Sequence, residues 1–329
     1  MSEKDSENKN SFEIKEMPWA SEFKQKIKPE FEKRYKSILG DNYELFIRFS
    51  LSFQRESFRI NTLKVSKERI NEVLERIKKN FVLERIPWYE YGYFYSGQRR
   101  DIGNTLEHTL GYIYVQEAAS MIPPIVLNPS EQDKVLDIAA APGSKTTLLA
   151  EIMKNKGIIV ANDPDYSRIK ALSQNVQRIG ATNVVITNQD GLSIRESFSK
   201  ILLDAPCSGI GTIRKSPSTI EIYNVNMIKR LSKLQKKLIE HSFNILEREG
   251  VLVYSTCTLE PEENEAVINH LLKNHENAEL ERIRLNIKSS PPILNFEGEY
   301  FDDRIENCLR IWPQDNNTDG FFVAKIIKL

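Results

Sequence analysis

The sequence predicts an α/β protein: a doubly wound parallel sheet, an antiparallel hairpin at the C-terminal end, and a small α+β domain ahead of both. Three observations carry this. From residue 134 to 273 short apolar runs alternate with amphipathic helical stretches, the pattern of parallel strands joined by right-handed crossovers. The first of those runs leads into a loop of small residues that opens a helix. The last twenty or so residues carry two further apolar runs, 308–311 and 321–327, spaced for an antiparallel pair.

In chain order, residues 1–12 are polar and charged and read as a disordered tail. Residues 17–39 are helical, with Phe31, Tyr35 and Ile38 on one face and Pro29 restarting the helix. Residues 59–63 read as a strand, and Ser66 as the cap of a helix to 79 with Ile70, Val73, Leu74 and Ile77 inward. Residues 87–97 are aromatic and turn-rich. A boundary at 110/111 separates this half from the next. Strands follow at 134–138, 157–161, 183–187, 201–204 and 251–255. Helices lie between them, the longest over 224–247 with Ile228, Leu231, Leu234, Leu238 and Ile245 on one face, and a last helix covers 262–273.

Composition narrows the class. The 329 residues are 40% hydrophobic and 28% charged with zero net charge, a folded chain rather than a disordered one. No apolar run has the roughly 18–20 residues of a membrane span, and no leader is evident, so a cytoplasmic monomer is expected. Three cysteines make no disulfide framework, and four histidines without CxxC or HExxH predict no metal.

Doubly wound sheets bind ligands beyond the carboxyl ends of their strands, so residues there are the candidates. The loop Asp137, Ile138, Ala139, Ala140, Ala141, Pro142, Gly143, Ser144, Lys145 lacks both GxGxxG and the P-loop pattern, which favours a nucleoside over a pyrophosphate ligand. An ordinary strand–helix turn is the alternative. Asp163 ends the second strand, where a carboxylate can hold two ribose hydroxyls or cap a helix. Asp190 follows the third and could hold an adenine amino group or shape a turn. Asp204-Ala-Pro-Cys207 and Ser255-Thr-Cys257 end the fourth and fifth strands. A single cysteine is most often a small buried hydrophobe. Two at strand ends of one sheet point to thiol chemistry. Position alone does not rank them, and Cys308, in the tail hairpin, reads as structural.

These residues sit in segments that resemble the RNA cytosine-5 methyltransferases of the NOP/Sun family: GYIYVQEAASM at 111–121, the 137–145 loop, LDAPCSG at 203–209, YSTCT at 254–258 with PEEN at 261–264, DGFFVAK at 319–325, and RINTLK at 59–64. Ser144 departs from the family's more usual glycine. The resemblance implies a Rossmann-like methyltransferase sheet and S-adenosylmethionine as cofactor. Ala139 to Lys145 would cradle its methionine and ribose region, Asp163 the ribose hydroxyls, Asp190 the adenine, and Asp204 would lie between cofactor and base. It further implies that Cys257 adds to C6 of cytosine, that Asp204 stabilises the adduct, and that Cys207 assists release.

RNA binding has separate support. Eight basic residues against Asp204 and Glu221 fill 200–237, a local excess in a neutral chain; the alternative is the solvated face of the long helix. Trp88, Tyr89, Tyr91, Tyr93, Phe94 and Tyr95 could stack on bases, though core packing is favoured. Residues 1–110 are expected to form an RNA-binding module and 111–329 the catalytic domain. The expected substrate is RNA, tRNA before rRNA. A non-catalytic RNA-binding relative and a small-molecule methyltransferase are the alternatives.

Overall fold

The structure, a computed structural model, describes residues 14–97 and 101–329; the expected disordered tail, 1–12, lies outside them. Three helices come first, Ala20–Gln25, Pro29–Leu39 and Tyr43–Ser50. A small antiparallel sheet follows, of β1 (Glu56–Ile60), β2 (Val82–Arg85), β3 (Gly92–Ser96) and β4 (Ile113–Val115), in the order β2-β3-β1-β4. The helix Ile70–Lys78 lays Val73, Leu74 and Ile77 on Phe58, Ile60, Tyr93 and Tyr95.

The strand expected over 59–63 stops at Ile60. Asn61 turns the chain: its Oδ1 accepts the Leu63 amide at 3.0 Å, and its Nδ2 donates to the carbonyls of Gly111 and Ile179. Ser66 makes no cap bond to the backbone. The first turn, Lys67–Arg69, is a 3₁₀ turn, and the α-helix starts at Ile70. The expected boundary at 110 also shifts, because β4 pairs with Phe58–Ile60 and carries the small sheet to residue 115.

The large sheet is built from β5 (Lys134–Asp137), β6 (Ile158–Asn162), β7 (Val184–Thr187), β8 (Phe198–Asp204), β9 (Leu246–Thr256) and β10 (Ala278–Glu281). A two-residue hairpin, β11 (Asn295–Phe296) and β12 (Glu299–Tyr300), stands apart, and β13 (Leu309–Ile311) and β14 (Phe321–Lys328) form the expected antiparallel pair. The strand order is β10-β14-β9-β8-β5-β6-β7, with β5 to β9 parallel and β14 inserted antiparallel between β9 and β10. Alternate side chains serve opposite faces. Leu202 and Val253 pack with Leu148, Leu149 and Leu172 on one side; Ile201, Leu203 and Leu252 pack with Leu238, Phe243 and Leu271 on the other.

The long helix spans Val225–Asn244, and Leu246 already belongs to β9. Its buried stripe is Ile228, Ser232, Gln235, Leu238, Ile239, Ser242 and Phe243, whereas Leu234 is exposed. Gln235 displaces the expected leucines because its amide donates to Pro206 O and to Glu263. The N-terminal helices pack on the large domain rather than on the small sheet: Phe31, Tyr35, Phe46 and Leu51 meet Ile213, Tyr223, Leu259 and Trp312. The expected aromatic run is core, with Trp88, Tyr93, Phe94 and Tyr95 buried.

Arg310 on β13 and Glu265, first residue of the helix Glu265–Asn274, form a two-pronged ion pair at 2.7 and 2.5 Å, both side chains wholly buried. Removing one partner strands the other charge in the core. Glu265→Ala is expected to lower the unfolding free energy by about 3–5 kcal/mol. Urea denaturation checks this, and a loss under about 1 kcal/mol would contradict it.

Candidate active site

The carboxyl ends of β5, β6, β8 and β9 converge on one edge. Parallel register sets Asp204 opposite Ser255, and the next bond in the ladder, Ala205 N to Ser255 O, continues it. Cys207 and Cys257 therefore emerge together, their Sγ atoms 3.4 Å apart. Both thiols are partly exposed, while Cys308 is buried. The Cys207 thiol is pushed well above its ordinary value, first by its contact with Cys257, then by desolvation and by Glu263 and Asp204.

Asp204 is held on both oxygens: Ser255 Oγ donates to Oδ1 and Lys145 Nζ to Oδ2, each at 2.7 Å. Lys145 also donates to Ser120 Oγ at 3.0 Å. Burial works against the lysine's charge, but Asp204 in contact and Cys257 and Asp137 nearby lift it above its ordinary value.

The loop before Lys145 is fixed by its own backbone. Ala140 N donates to Asn162 O, Ala141 N donates to Asp163 Oδ2, and Arg168 reaches Ala141 O. Gly143 takes φ +101°, and a Cβ there would stand 2.9 Å from Leu172 Cδ1. A glycine is thus required at the turn into the helix Ser144–Ile152. Ala139 and Pro142 complete a stretch with no large side chain. Asp163 is wholly buried, its Oδ1 taking the Asp165 amide at 3.0 Å and its Oδ2 facing Arg168 at 3.3 Å. Asp190 is exposed, and its Oδ1 accepts the Leu192 amide at 3.0 Å.

Several site residues carried no role in the sequence reading. Asp137 is buried at the end of β5, with Oδ2 bound to Thr146 Oγ1 and Oδ1 without a hydrogen-bond partner among the described residues. Burial, with Asp204 and Asp163 nearby, raises it to about 7. Glu117 takes the Ser120 and Asp319 amides, and Asp319 takes Lys215 at 2.6 Å and Gln54 at 2.9 Å. Glu263 accepts from Ser208 N and Gln235, while Asn264 joins Thr256 to Thr258, so the two cysteine loops are tied together. Asp137, Glu117, Asp319, Glu263 and Asn264 lie inside the quoted motifs, which was their signal; Gln54 and Gln235 lie outside them.

The expected basic patch does not form one surface. Arg214 is buried, its guanidinium bound to Phe49 O, Ser52 Oγ and Asn317 Oδ1, and Lys215 is paired with Asp319. Lys200 is half-buried in β8. Lys229, Arg230, Lys233 and Lys237 remain as an exposed helix face. Among the described residues no group of three or more His, Cys, Asp or Glu is placed to hold a metal.

Comparison with known proteins specifies the class and the family. The profile described as 16S rRNA methyltransferase RsmB/F matches residues 124–327, and that of the N-terminal domain of 16S rRNA methyltransferase RsmF matches 27–118. The chain is 41% identical over 316 residues to the tRNA (cytosine(49)-C(5))-methyltransferase of Pyrococcus abyssi, covering 95% of this chain and 99% of that one. It is 40% identical to the ribosomal RNA small subunit methyltransferase F of Vibrio atlanticus over 92% of this chain, and spans 64% of that enzyme's length. The crystal structure of a methyltransferase homolog from Pyrococcus horikoshii, 36% identical, superposes with a TM-score of 0.83 over 95% of this chain and all of the other. The chain belongs to the RsmB/F family, the S-adenosylmethionine-dependent RNA (cytosine-5) methyltransferases.

A buried acid lifted toward 7 binds its proton more tightly folded than unfolded. Its contribution to stability therefore falls between about pH 4 and 7 and then levels off. Asp137→Asn removes that titration. The variant is expected to lose about 2 kcal/mol less stability than the parent between pH 5 and pH 8, as read by denaturant unfolding at each pH. Identical losses would contradict the assignment.

Proposed function

We propose that Cys257 is the nucleophile toward C6 of a cytosine in tRNA, with Asp204 and Lys145 beneath the base and Cys207 acting at release. The observation that carries this reading is the thiol pair, 3.4 Å apart beside a carboxylate held by a lysine. C5 of cytosine is a weak nucleophile. Addition of a thiolate at C6 converts the ring to an enamine that is nucleophilic at C5. Asp204 has acceptor capacity left on both oxygens for the exocyclic amine, and Lys145 keeps it oriented. After methylation a water molecule takes the C5 proton, the C5–C6 double bond reforms, and the C6–S bond breaks with its electron pair returning to the Cys257 sulfur. Cys207, kept protonated by its surroundings, donates to the departing Cys257 sulfur.

The residues present fit S-adenosylmethionine, which supplies the methyl group. Ala139, Ala140, Ala141, Pro142, Gly143 and Ser144 leave room for a ligand against the backbone, and the helix after Gly143 directs amides toward it. The unpartnered Oδ1 of Asp137 suits a cationic ammonium. Asp163, beyond its loop contacts, retains lone pairs for ribose hydroxyls, and Asp190 stands at the adenine end. We further propose that the N-terminal unit binds RNA and that the enzyme acts in the cytoplasm, where its RNA substrates are. No helix among the described residues is long and apolar enough to cross a membrane.

tRNA is favoured because the tRNA enzyme is matched from end to end. Bisulfite sequencing of host RNA with and without the gene is expected to show 5-methylcytosine lost from tRNA. Loss from small-subunit rRNA alone would overturn the tRNA assignment. Cys207→Ala is expected to accumulate a protein–RNA adduct on denaturing gels in the presence of cofactor, and Cys257→Ala to form neither adduct nor product. The reverse pattern would exchange the two roles. Asp163→Ala is expected to weaken S-adenosylmethionine binding by about tenfold or more in calorimetry, the loss of hydrogen bonds to a charged group. Unchanged affinity would remove Asp163 from the pocket.

A further inference from the structure

The helix Val225–Asn244 carries one wholly buried residue that its apolar periodicity does not call for. Gln235 has no exposure, while its neighbours Lys233 and Leu234 face solvent. Both groups beside its amide are acceptors, so the nitrogen must face them: Nε2 donates to Pro206 O and to Glu263 Oε2, each at 2.8 Å. Glu263, also wholly buried, takes the Ser208 amide on that same oxygen at 3.0 Å. Pro206 O and Ser208 N belong to the two peptide groups that flank the Cα of Cys207. One pair of side chains, bonded to each other, therefore clasps both.

The clasp does not serve stability well. Gln235 Oε1 and Glu263 Oε1 are buried without hydrogen-bond partners among the described residues, and a buried polar atom left unpaired costs free energy. An apolar side chain of the same size would fill the helix's buried stripe without that cost. A residue that weakens the core yet holds the backbone of a reacting group is a mark of function. The clasp also bears on one thiol more than the other. The Cys257 carbonyl is held from another direction, by Gly211 N at 2.9 Å, whereas the two Gln235 bonds go to Pro206 itself and to the carboxylate that holds Ser208.

Release needs the Cys207 proton on the Cys257 sulfur, and that transfer depends on the distance and direction between two sulfurs now 3.4 Å apart. We propose that Gln235 is the positioning residue for release: by holding Pro206 and, through Glu263, Ser208, it aims the Cys207 thiol at the Cys257 sulfur. As the C6–S bond breaks, its electron pair stays on the Cys257 sulfur. The Cys207 S–H bond breaks, an S–H bond forms on Cys257, and the Cys207 thiolate regains a proton from water. Gln235 exchanges no proton. The assignment rests on the reading of Cys207 as the group that acts at release, and names what holds it.

Gln235→Met keeps the length of the side chain, suits the apolar stripe and removes both bonds. In single turnovers of the full chain with tRNA and S-adenosylmethionine, quenched onto denaturing gels, the protein–RNA adduct is expected to form within about twofold of the parent's rate and to decay about tenfold more slowly. Thermal unfolding should stay at the parent's temperature or rise, which separates the effect from a folding defect, and Gln235→Leu repeats the test with a second apolar side chain. In a Cys207→Ala background Gln235→Met should slow decay no further, because the thiol that it aims is gone. Decay at the parent's rate, formation and decay slowed alike, or a further loss on top of Cys207→Ala would overturn the positioning role alone. Turnover by Cys207→Ala without accumulated adduct would overturn the reading of Cys207 and the proposal with it.

Discussion

Everything at the active edge depends on the parallel pairing of β8 with β9. With Asp204 opposite Ser255, the two chains leave the sheet side by side, and each delivers a cysteine two or three residues later. A slip of one residue would turn one thiol to the opposite face. The same register sets Ser255 Oγ against the Asp204 carboxylate. One backbone constraint thus sets both the thiol separation and the orientation of the neighbouring acid.

That pairing would not by itself keep two loops in place, and the structure adds buried polar links. Glu263, Asn264, Thr256, Thr258 and Gln235 join the cysteine loops to each other and to the long helix. The N-terminal helices reach the same region: Tyr35 donates to Glu260, Arg34 pairs with Glu260 and Glu262, and Arg214 is anchored on the Phe49 carbonyl. These links fix the loops relative to one another, although Gln235 Oε1 and Glu263 Oε1 are left without hydrogen-bond partners among the described residues. The N-terminal helices are therefore anchored directly on the loop that follows Cys257.

The parallel strands were legible because strands buried on both faces are short apolar runs, and 134–138 or 201–204 can hardly be anything else. The cysteines and the Asp163 and Asp204 carboxylates were legible from their places at strand ends. Elements set by tertiary contacts were not. The end of β1 is decided by Asn61 reaching Gly111 and Ile179, residues remote in sequence. The inward face of Val225–Asn244 is decided by Gln235 binding Pro206 and Glu263, which local periodicity reads as a polar, outward residue. Arg214 and Lys215 counted as surface charge in sequence, yet one is buried against carbonyls and the other is paired with Asp319. Asp137 and Glu117 lay within recognisable motifs but took on meaning only with their burial and partners.

The central claim is that Cys257, not Cys207, bonds to the base. A tRNA carrying 5-fluorocytidine at the methylated position tests it most directly. Fluorine at C5 cannot leave as the proton does, so the adduct persists after methyl transfer. Protease and nuclease digestion followed by tandem mass spectrometry should place the nucleotide on the peptide containing Cys257, with Cys207 still available to alkylating reagent. A nucleotide found on Cys207 would contradict the account.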